Sequence, residues 1–304
     1  MATTDASGAA RTRSGVSAAA PPARAKQTGT NGGKTFNRIA AAVLAVFAVL
    51  WLLPSLWAIR TSFTDNAVSA LGTEAILRDT NPTLASYSAL LGGGDLWNWY
   101  LASFITSTFS AALVVVFASM AAYALSRMQF RGRQVVFYLI IAGIMVPADV
   151  LIIPIFQMLN GIGLLNTYWA VIFPQVSSVI ALFVFKQFFD GLPKELEESA
   201  RLDGASSFRI YRSIIMPLSR PVISAMAIVT FVGVWNNLIL PLFVLSNPDL
   251  MTIPVGLATV QGSFGQRFSD IQASTILGAL PLVILFVIFQ RRIVEGVAGT
   301  GLKG

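Results

Sequence analysis

The residue types that carry most enzyme chemistry are scarce in this chain of 304 residues. It has no cysteine and no histidine. Thiolate nucleophiles, disulfides and cysteine metal sites are therefore excluded, and so is the commonest general base. A catalytic site would have few candidate residues left. The sequence accordingly predicts no enzyme active site, no metal site and no cofactor.

A stretch ahead of the first apolar segment resembles the Walker A phosphate-binding motif. Thr28–Thr35 ends in the Gly-Lys-Thr sequence of that motif. The motif also requires a glycine where this chain has Thr28, and it follows a strand, which the sequence does not predict here. We therefore expect no ATP binding by this stretch and no ATPase within this chain.

Polar side chains inside apolar stretches are the candidates for a solute path. Asp149 lies in such a stretch, and a carboxylate at the bilayer centre costs about 2.5–3.5 kcal/mol unless it faces protein or water. A structural pairing, or a position near the outer membrane surface, explains Asp149 as well as a substrate role does. Neutral hydrogen-bonding groups can also contact a solute, although such residues more often join helices to one another. The neutral candidates are Gln175, Ser177, Ser178, Asn236 and Asn237.

The longest charged connection, which we call the elbow segment, covers residues 190–218. Acidic residues at its start favour the first turn of a helix, and Gly204 then allows the chain to turn. Asp203 or Ser206 can cap a second short helix, which we expect Pro217 to end. The pattern fits equally a helix pair lying on the membrane surface and a docking element for a partner protein.

The elements that must position these residues are long apolar stretches. The chain is 55% apolar and only 12% charged, about half the charged share of a soluble domain. Six stretches are long enough to cross a bilayer as helices, and six in one chain exclude a soluble core. They are Ile39–Ile59, Leu101–Leu125, Val135–Leu159, Tyr168–Phe188, Pro221–Leu245 and about Ile271–Gln290.

The distribution of lysine and arginine predicts the orientation of these six spans. Of the 21 lysines and arginines, 18 fall in the two termini, in the second loop, or in the fourth loop with Lys186 at the adjoining end of the fourth span; the fourth loop contains the elbow segment. Only Arg60, Arg78 and Arg267 fall on the opposite side. Because cytoplasmic loops are rich in these residues, both termini are predicted to be cytoplasmic. The expected fold is an all-α membrane protein with six transmembrane helices.

The composition divides the chain into a tail and one domain. Residues 1–37 are rich in alanine, glycine, serine and threonine, with too little apolar surface to fold. We expect them to form a disordered cytoplasmic tail. The remainder, 38–304, is predicted to be one transmembrane domain with its core at about 97–291.

The elbow segment closely resembles the EAA motif of ABC importer permeases. That motif is Glu-Ala-Ala, a glycine four residues on, and Ile-x-Leu-Pro after nine more. Two positions depart from it, since Ser199 replaces an alanine and Met216 replaces a leucine of similar size. The residues in the matching register are Glu198, Ser199, Ala200, Asp203, Gly204, Ile214 and Pro217.

Other stretches resemble the carbohydrate branch of the same family. They are Ala122–Met128 with Arg131–Arg133, Trp235–Leu242, and Gln290–Arg292 with Gly301–Gly304. With the elbow segment, the likeness covers about residues 39–304 and is closest to the second permease subunit of maltose-type importers. It implies that 38–304 is a type I ABC importer transmembrane domain in the cell's inner membrane.

The resemblance also implies a set of partners and a coupling mechanism. The partners are a second permease subunit, two ATP-binding ATPase subunits that hydrolyse the ATP, and an extracytoplasmic solute-binding protein that delivers a sugar. In such importers the EAA loop forms a coupling helix that sits in a cleft of the ATPase. This gives Glu198 a cationic partner on the ATPase and makes Gly204 the elbow between two helices. No nucleic acid is expected as a partner.

Two other classes of function remain open on the residues alone. A secondary transporter driven by an ion gradient should show internal repeats and broken helices around an ion site. The sequence shows no repeat, and Asp149 is its one candidate for an intramembrane charge. A membrane-embedded enzyme is the third possibility, with the few catalytic candidates described above.

Overall fold

A computed structural model describes residues 31–93, 95–264 and 267–301. All regular structure in these ranges is helical. Three short segments are 3-10 helices (Gly143–Met145, Ala148–Leu151 and Pro248–Leu250), and Tyr211–Ile215 is a π-helical turn. The α-helices are α1 (Asn31–Ser62), α2 (Asn66–Ser69), α3 (Thr73–Arg78), α4 (Ala85–Gly92), α5 (Asp95–Arg127), α6 (Arg133–Ala142), α7 (Ile152–Gly161), α8 (Tyr168–Val176), α9 (Val179–Asp190), α10 (Glu195–Leu202), α11 (Ser207–Ile210), α12 (Met216–Leu218), α13 (Arg220–Trp235), α14 (Ile239–Val244), α15 (Ile253–Phe264) and α16 (Phe268–Gly301).

The chain divides into two compact units, one up to Leu53 and one from Pro54 onward. In the first unit the described residues belong to α1, which begins at Asn31. Residues 31–37 are therefore helical, whereas the sequence predicts them as part of the disordered tail. Extending an existing helix needs no new nucleus, so the long apolar helix continues back into polar residues. Residues 1–30 lie outside the described residues.

The described part of the Walker-like stretch has the wrong conformation for a phosphate-binding loop. Asn31 to Thr35 lie in the first turns of α1, so the backbone there forms helix rather than a loop that could cradle phosphates. Thr28 to Thr30 lie outside the described residues.

Three helices in the described residues are long and apolar enough to cross a membrane unbroken. They are Phe36–Ser62, Asp95–Arg127 and Phe268–Gln290, of 27, 33 and 23 residues. Three further candidates are pairs of shorter helices that bend sharply between their halves, so the total is six if each pair forms one span. The helical class agrees with the sequence prediction. Two of the bent pairs are the third and fourth predicted spans, whereas the last pair joins Ser207–Leu218 of the elbow segment to Arg220–Trp235.

Each break has a local cause in the sequence. The third predicted span bends by 92° between Arg133–Met145 and Ala148–Gly161. Pro147 disfavours helical backbone at the residue before it, and Val146 is extended with φ −85° and ψ 114°. The fourth span bends by 42° between α8 and α9. There Ser178 leaves the helix and caps α9 by accepting a bond from Ala181 N at 3.2 Å.

The fifth predicted span is also divided, although the sequence predicts one helix over Pro221–Leu245. α13 ends at Trp235 and α14 begins at Ile239. In the gap, the Asn237 side chain accepts a bond from Leu240 N at 3.4 Å, in the manner of a helix cap. Asparagine competes for backbone hydrogen bonds in this way, which explains the interruption.

Helix α5 is the centre of the second unit. It packs against α8, α9 and α13, and its buried face is rich in alanine and serine, which allow close approach between helices in a membrane. The largest buried cluster joins the end of α5 near Leu125 to α9, to the elbow segment and to the start of α13. A second cluster joins the other end of α5, near Trp99, to Trp235 and to α15.

Candidate functional site

The elbow segment turns at Gly204, as the sequence predicts. Gly204 has a left-handed backbone with φ +79°. Its N–H donates to Arg201 O at 3.0 Å, and Ala205 N–H donates to Ala200 O at 2.9 Å. These two bonds form a Schellman motif, which closes the end of α10 and fixes the direction in which the chain leaves it.

The second helix of the elbow segment is longer than the sequence predicts. Ser206 is its N-cap, since its Oγ accepts a bond from Arg209 N at 3.3 Å. The helix passes through the π-helical turn and continues past Pro217 to Leu218, so Pro217 does not end it. The wider π turn makes room for the proline ring. The chain then bends by 79° into α13.

A buried ion pair joins the first helix of the elbow segment to α5. Arg127 Nε lies 3.2 Å from Glu197 Oε1, and the two side chains are only 5% and 7% exposed. The contact lacks the directional geometry of a hydrogen bond. Removing one partner of such a pair leaves an uncompensated buried charge, which costs about 3–5 kcal/mol. The pair therefore fixes the position of α10 against the end of α5.

The same arginine also caps α9. Arg127 Nη2 donates to Leu192 O at 2.7 Å and to Phe189 O. These carbonyls lie at and beyond the C-terminus of α9, where orphan carbonyls and the helix dipole favour a cation. One guanidinium thus joins the end of α5, the end of α9 and the first turn of α10.

A second group of contacts joins α5 to the second helix of the elbow segment. The Tyr211 hydroxyl lies 2.8 Å from Ser119 Oγ, and the Tyr211 ring lies 5.4 Å from that of Tyr123. The Tyr123 hydroxyl in turn donates to Glu197 Oε2 at 3.5 Å. Ser119, Tyr123 and Arg127 are spaced by four residues, so they form one strip along α5.

The residues that the EAA resemblance singles out lie mostly on the opposite, open face. Glu198, Ser199, Asp203, Gly204 and Pro217 are exposed. Two large apolar side chains accompany them, since Leu202 is 90% exposed and Phe208 is 62% exposed. A polar face with bare apolar residues at its centre is typical of a protein interaction surface.

The two remaining EAA positions line a small hollow between the helices. Ala200 and Ile214 are half-buried, and the hollow has a volume of about 220 Å³. Asp203 and Arg209 lie at the same hollow, so its wall carries both charge signs. The structure therefore brings the two ends of the EAA match together around one depression.

The candidates for the solute path lie at the helix breaks. Asp149 is exposed in the 3-10 turn after Pro147, and Gln175 is half-buried near the end of α8. Asn236 donates to Val232 O at 2.9 Å, and Asn237 caps α14. Within the described ranges, no hydrogen bond or ion pair joins any two of these four. The four residues therefore lie at three separate helix breaks rather than in one pocket.

Sequence reasoning missed Glu197, Arg127 and the two tyrosines. In the sequence, Glu197 is one of several acidic residues at a helix start, and Arg127 is a loop cation within the Ala122–Met128 stretch that resembles the family. A signal was present in the spacing of Ser119, Tyr123 and Arg127, three polar residues on one face of an apolar helix. Such a strip indicates contact with another polar element rather than with lipid.

Comparison with known proteins agrees with this architecture. The structure superimposes on a chain from the crystal structure of a bacterial ABC transporter involved in the import of the acidic polysaccharide alginate, with a TM-score of 0.73 and 20% identity. The match covers 86% of this chain and 98% of that one. The two chains share a fold.

Several relatives are permease proteins of sugar transport systems. The chain is 36% identical to the arabinooligosaccharides transport system permease protein AraQ of Halalkalibacterium halodurans, over 86% of this chain and 93% of that protein. It is 33% identical to the sulfoquinovosyl glycerol transport system permease protein SmoH of Agrobacterium fabrum, over 90% and 95%. It is 32% identical to the trehalose/maltose transport system permease protein MalG of Thermococcus litoralis, over 85% and 94%.

The fold and these relatives define a multi-pass helical transport protein of the plasma membrane. Residues 114–295 match the family model for the binding-protein-dependent transport system inner membrane component. The chain belongs to this family. The resemblance to ABC importer permeases of the carbohydrate branch is thereby confirmed, and the relatives are permeases rather than enzymes.

Proposed function

We propose that the chain is the transmembrane permease subunit of an ATP-driven, binding-protein-dependent importer for a sugar or oligosaccharide. The observation that carries the proposal is the elbow segment. Its inner face is held to the bundle by a buried ion pair, and its outer face is exposed around Glu198, Leu202 and Phe208. A fixed helix pair with an open apolar face suits docking to a moving partner better than lying on lipid.

The open face defines the partner that we propose for it. ATPase subunits close when they bind ATP, and a docked helix moves with them. Glu198 meets a cation of the ATPase, and the residues around it, Ser199, Ala200, Asp203, Gly204, Ile214 and Pro217, form the docking surface. We place this surface in the cytoplasm because 18 of the 21 lysines and arginines share its side of the six-span topology. Both termini lie on the same side.

The remaining partners follow from the family. A second permease completes the path, two ATPase subunits hydrolyse the ATP, and an extracytoplasmic binding protein delivers the substrate. The relatives' names support a short oligosaccharide as that substrate. Asp149, Gln175, Asn236 and Asn237 are proposed to line the path, because broken helices expose backbone groups that a sugar can hydrogen-bond. The domain is proposed to cover residues 38–304, with its core at about 97–291.

An ion-coupled transporter is the second candidate. Such transporters often build their substrate and ion sites from broken helices, and this chain has broken helices. The bends of 92° and 42° in the third and fourth predicted spans are of this kind, and so is the interruption between Trp235 and Ile239 in the fifth. However, no group of three or more acidic or other metal-binding side chains lies together in the described part of the chain. Family membership also favours the ATP-driven importer.

Deletion and rescue in the source organism test the proposal. The wild type is tested for uptake of labelled arabinotriose, maltose and galactobiose. Cells that lack the chain should accumulate none of the sugars that the wild type takes up from this panel, and the full-length chain should restore their uptake. A tagged chain should also co-purify with an ATP-hydrolysing subunit and a second membrane protein. Normal uptake of the whole panel in the deletion strain, or purification without ATPase activity, would contradict the proposal.

A further inference from the structure

We propose that α5 is the lever that carries the motion of the elbow segment to the far end of the bundle, and that Glu197 and Tyr211 are the positioning residues that connect it. This inference rests on the proposed function, since it concerns how a docked ATPase moves the permease. It assigns the transmission to side-chain contacts on α5 rather than to the two helices that continue the elbow segment along the chain.

The two covalent routes out of the elbow segment are both interrupted. Upstream, α9 is separated from α8 by a 42° bend. Downstream, the helix that contains Pro217 meets α13 at a 79° bend. A bend of this kind absorbs part of a displacement, because the break has fewer backbone hydrogen bonds to resist a change of angle.

Helix α5 has no such interruption. It runs unbroken for 33 residues from Asp95 to Arg127, a length of about 50 Å at the rise of an α-helix. Among the six predicted spans, Leu101–Leu125 is the one that contains neither proline nor glycine. These are the residues that most often kink a helix, so α5 is the stiffest span of the six by composition.

Side chains of α5 contact both helices of the elbow segment. Arg127 pairs with Glu197 of α10, and Ser119 bonds the hydroxyl of Tyr211 in the π-helical turn. Tyr123 lies between them and contacts both. Because these groups are buried, water cannot replace a broken contact, and sliding of the elbow segment along α5 is opposed.

The other end of α5 holds the opposite side of the bundle. Trp99 Nε1 donates to Pro248 O at 3.0 Å, and Ser103 Oγ accepts from Ile253 N at 2.8 Å. Pro248 lies in the connection between α14 and α15, and Ile253 is the first residue of α15. A displacement of the elbow segment is therefore delivered, through one rigid helix, to the segment that joins these two helices.

The test compares two substitutions with matched controls in the purified complex, reconstituted in proteoliposomes with its binding protein. Glu197→Gln removes the buried charge, and Glu195→Gln makes the same change at an exposed site of the same helix. Tyr211→Phe removes the hydroxyl that bonds Ser119 of α5. The matched control, Tyr87→Phe, removes a hydroxyl that lies 2.8 Å from Ser62 Oγ, away from the elbow segment. The readout is panel sugar imported per ATP hydrolysed.

We expect both test variants to keep the ATPase bound and to hydrolyse ATP, while sugar imported per ATP falls by about fivefold or more, the lower range of typical allosteric coupling. The controls should match the wild type. A merely structural role would lower assembly and leave this ratio unchanged, which would overturn the proposal. If Glu197→Gln fails to fold, Tyr211→Phe decides alone.

Failure of the proposed function gives a different result. If the wild-type complex contains no ATPase, or imports none of the panel with ATP, the proposed function and the lever both fail. If the wild type imports with ATP and the variants keep its ratio, only the lever fails.

Discussion

Two adjacent carboxylates of α10 have opposite environments. Glu197 is buried and paired with Arg127, whereas Glu198 is exposed on the other face. Successive residues of a helix point about 100° apart, so one turn can present both a structural and a docking carboxylate. The local sequence alone cannot distinguish them, because the partner that buries Glu197 is distant in the chain.

Reversing the charge of Glu198 tests the docking role at the level of one residue. We expect Glu198→Lys to weaken ATPase docking by about 2 kcal/mol or more, because it replaces one member of an interfacial charge pair with a like charge. ATPase co-purification with the tagged chain, quantified over a salt series, measures the loss. Glu195→Lys on the same helix is the control and should retain the ATPase.

A helix pair lying on the membrane surface gives the opposite expectation for the same substitution. Glu198→Lys would place a cation next to anionic headgroups, which is neutral or mildly favourable. Unchanged co-purification and uptake in Glu198→Lys would therefore rule against the docking surface.

At the scale of elements, the conformation of Gly204 decides the angle between the two helices of the elbow segment. A Cβ at this position meets nothing within 4 Å, so substitutions act through φ rather than through a clash.

Gly204→Pro forces φ near −65° and should abolish transport while the chain still inserts. Gly204→Asn should retain most transport, since asparagine tolerates left-handed backbone. Gly204→Val should lie between them. Uptake normalised to membrane-inserted chain distinguishes the three, and equal uptake for asparagine and proline would contradict this account.

The elements differ in how far their sequence determines them. The turn at Gly204 and the cap at Ser206 are local, and the sequence predicts the turn and gives Asp203 and Ser206 as the two candidates for the cap. The breaks in three spans are local as well, at Pro147, Ser178 and Asn237. Such residues are tolerated inside membrane helices, so each indicates a kink without deciding its angle. The contacts of Arg127 with Glu197 and Leu192 depend on how α5 packs, which no local pattern contains. The sequence therefore predicts the exposed turn of the elbow segment better than the buried contacts that hold the elbow segment against α5.

At the scale of the whole molecule, the predicted six-span topology places the proposed docking surface on the cytoplasmic side of the membrane. A reporter that is active only in the cytoplasm should work when fused after Gly304 or within Arg127–Arg133, and should fail within Asn160–Thr167. The reason is the concentration of lysine and arginine in the loops on one side. Cytoplasmic activity from a fusion in Asn160–Thr167 would contradict the six-span topology.

The source of energy is the central claim, and reconstitution measures it directly. The complex purified through the full-length chain is placed in sealed proteoliposomes with its binding protein and a labelled oligosaccharide from the panel. We predict accumulation against a gradient when ATP is supplied on the side of the elbow segment, none with a non-hydrolysable analogue, and no effect of dissipating proton and sodium gradients. Accumulation without ATP that disappears when an ion gradient is dissipated would contradict the account and favour an ion-coupled transporter.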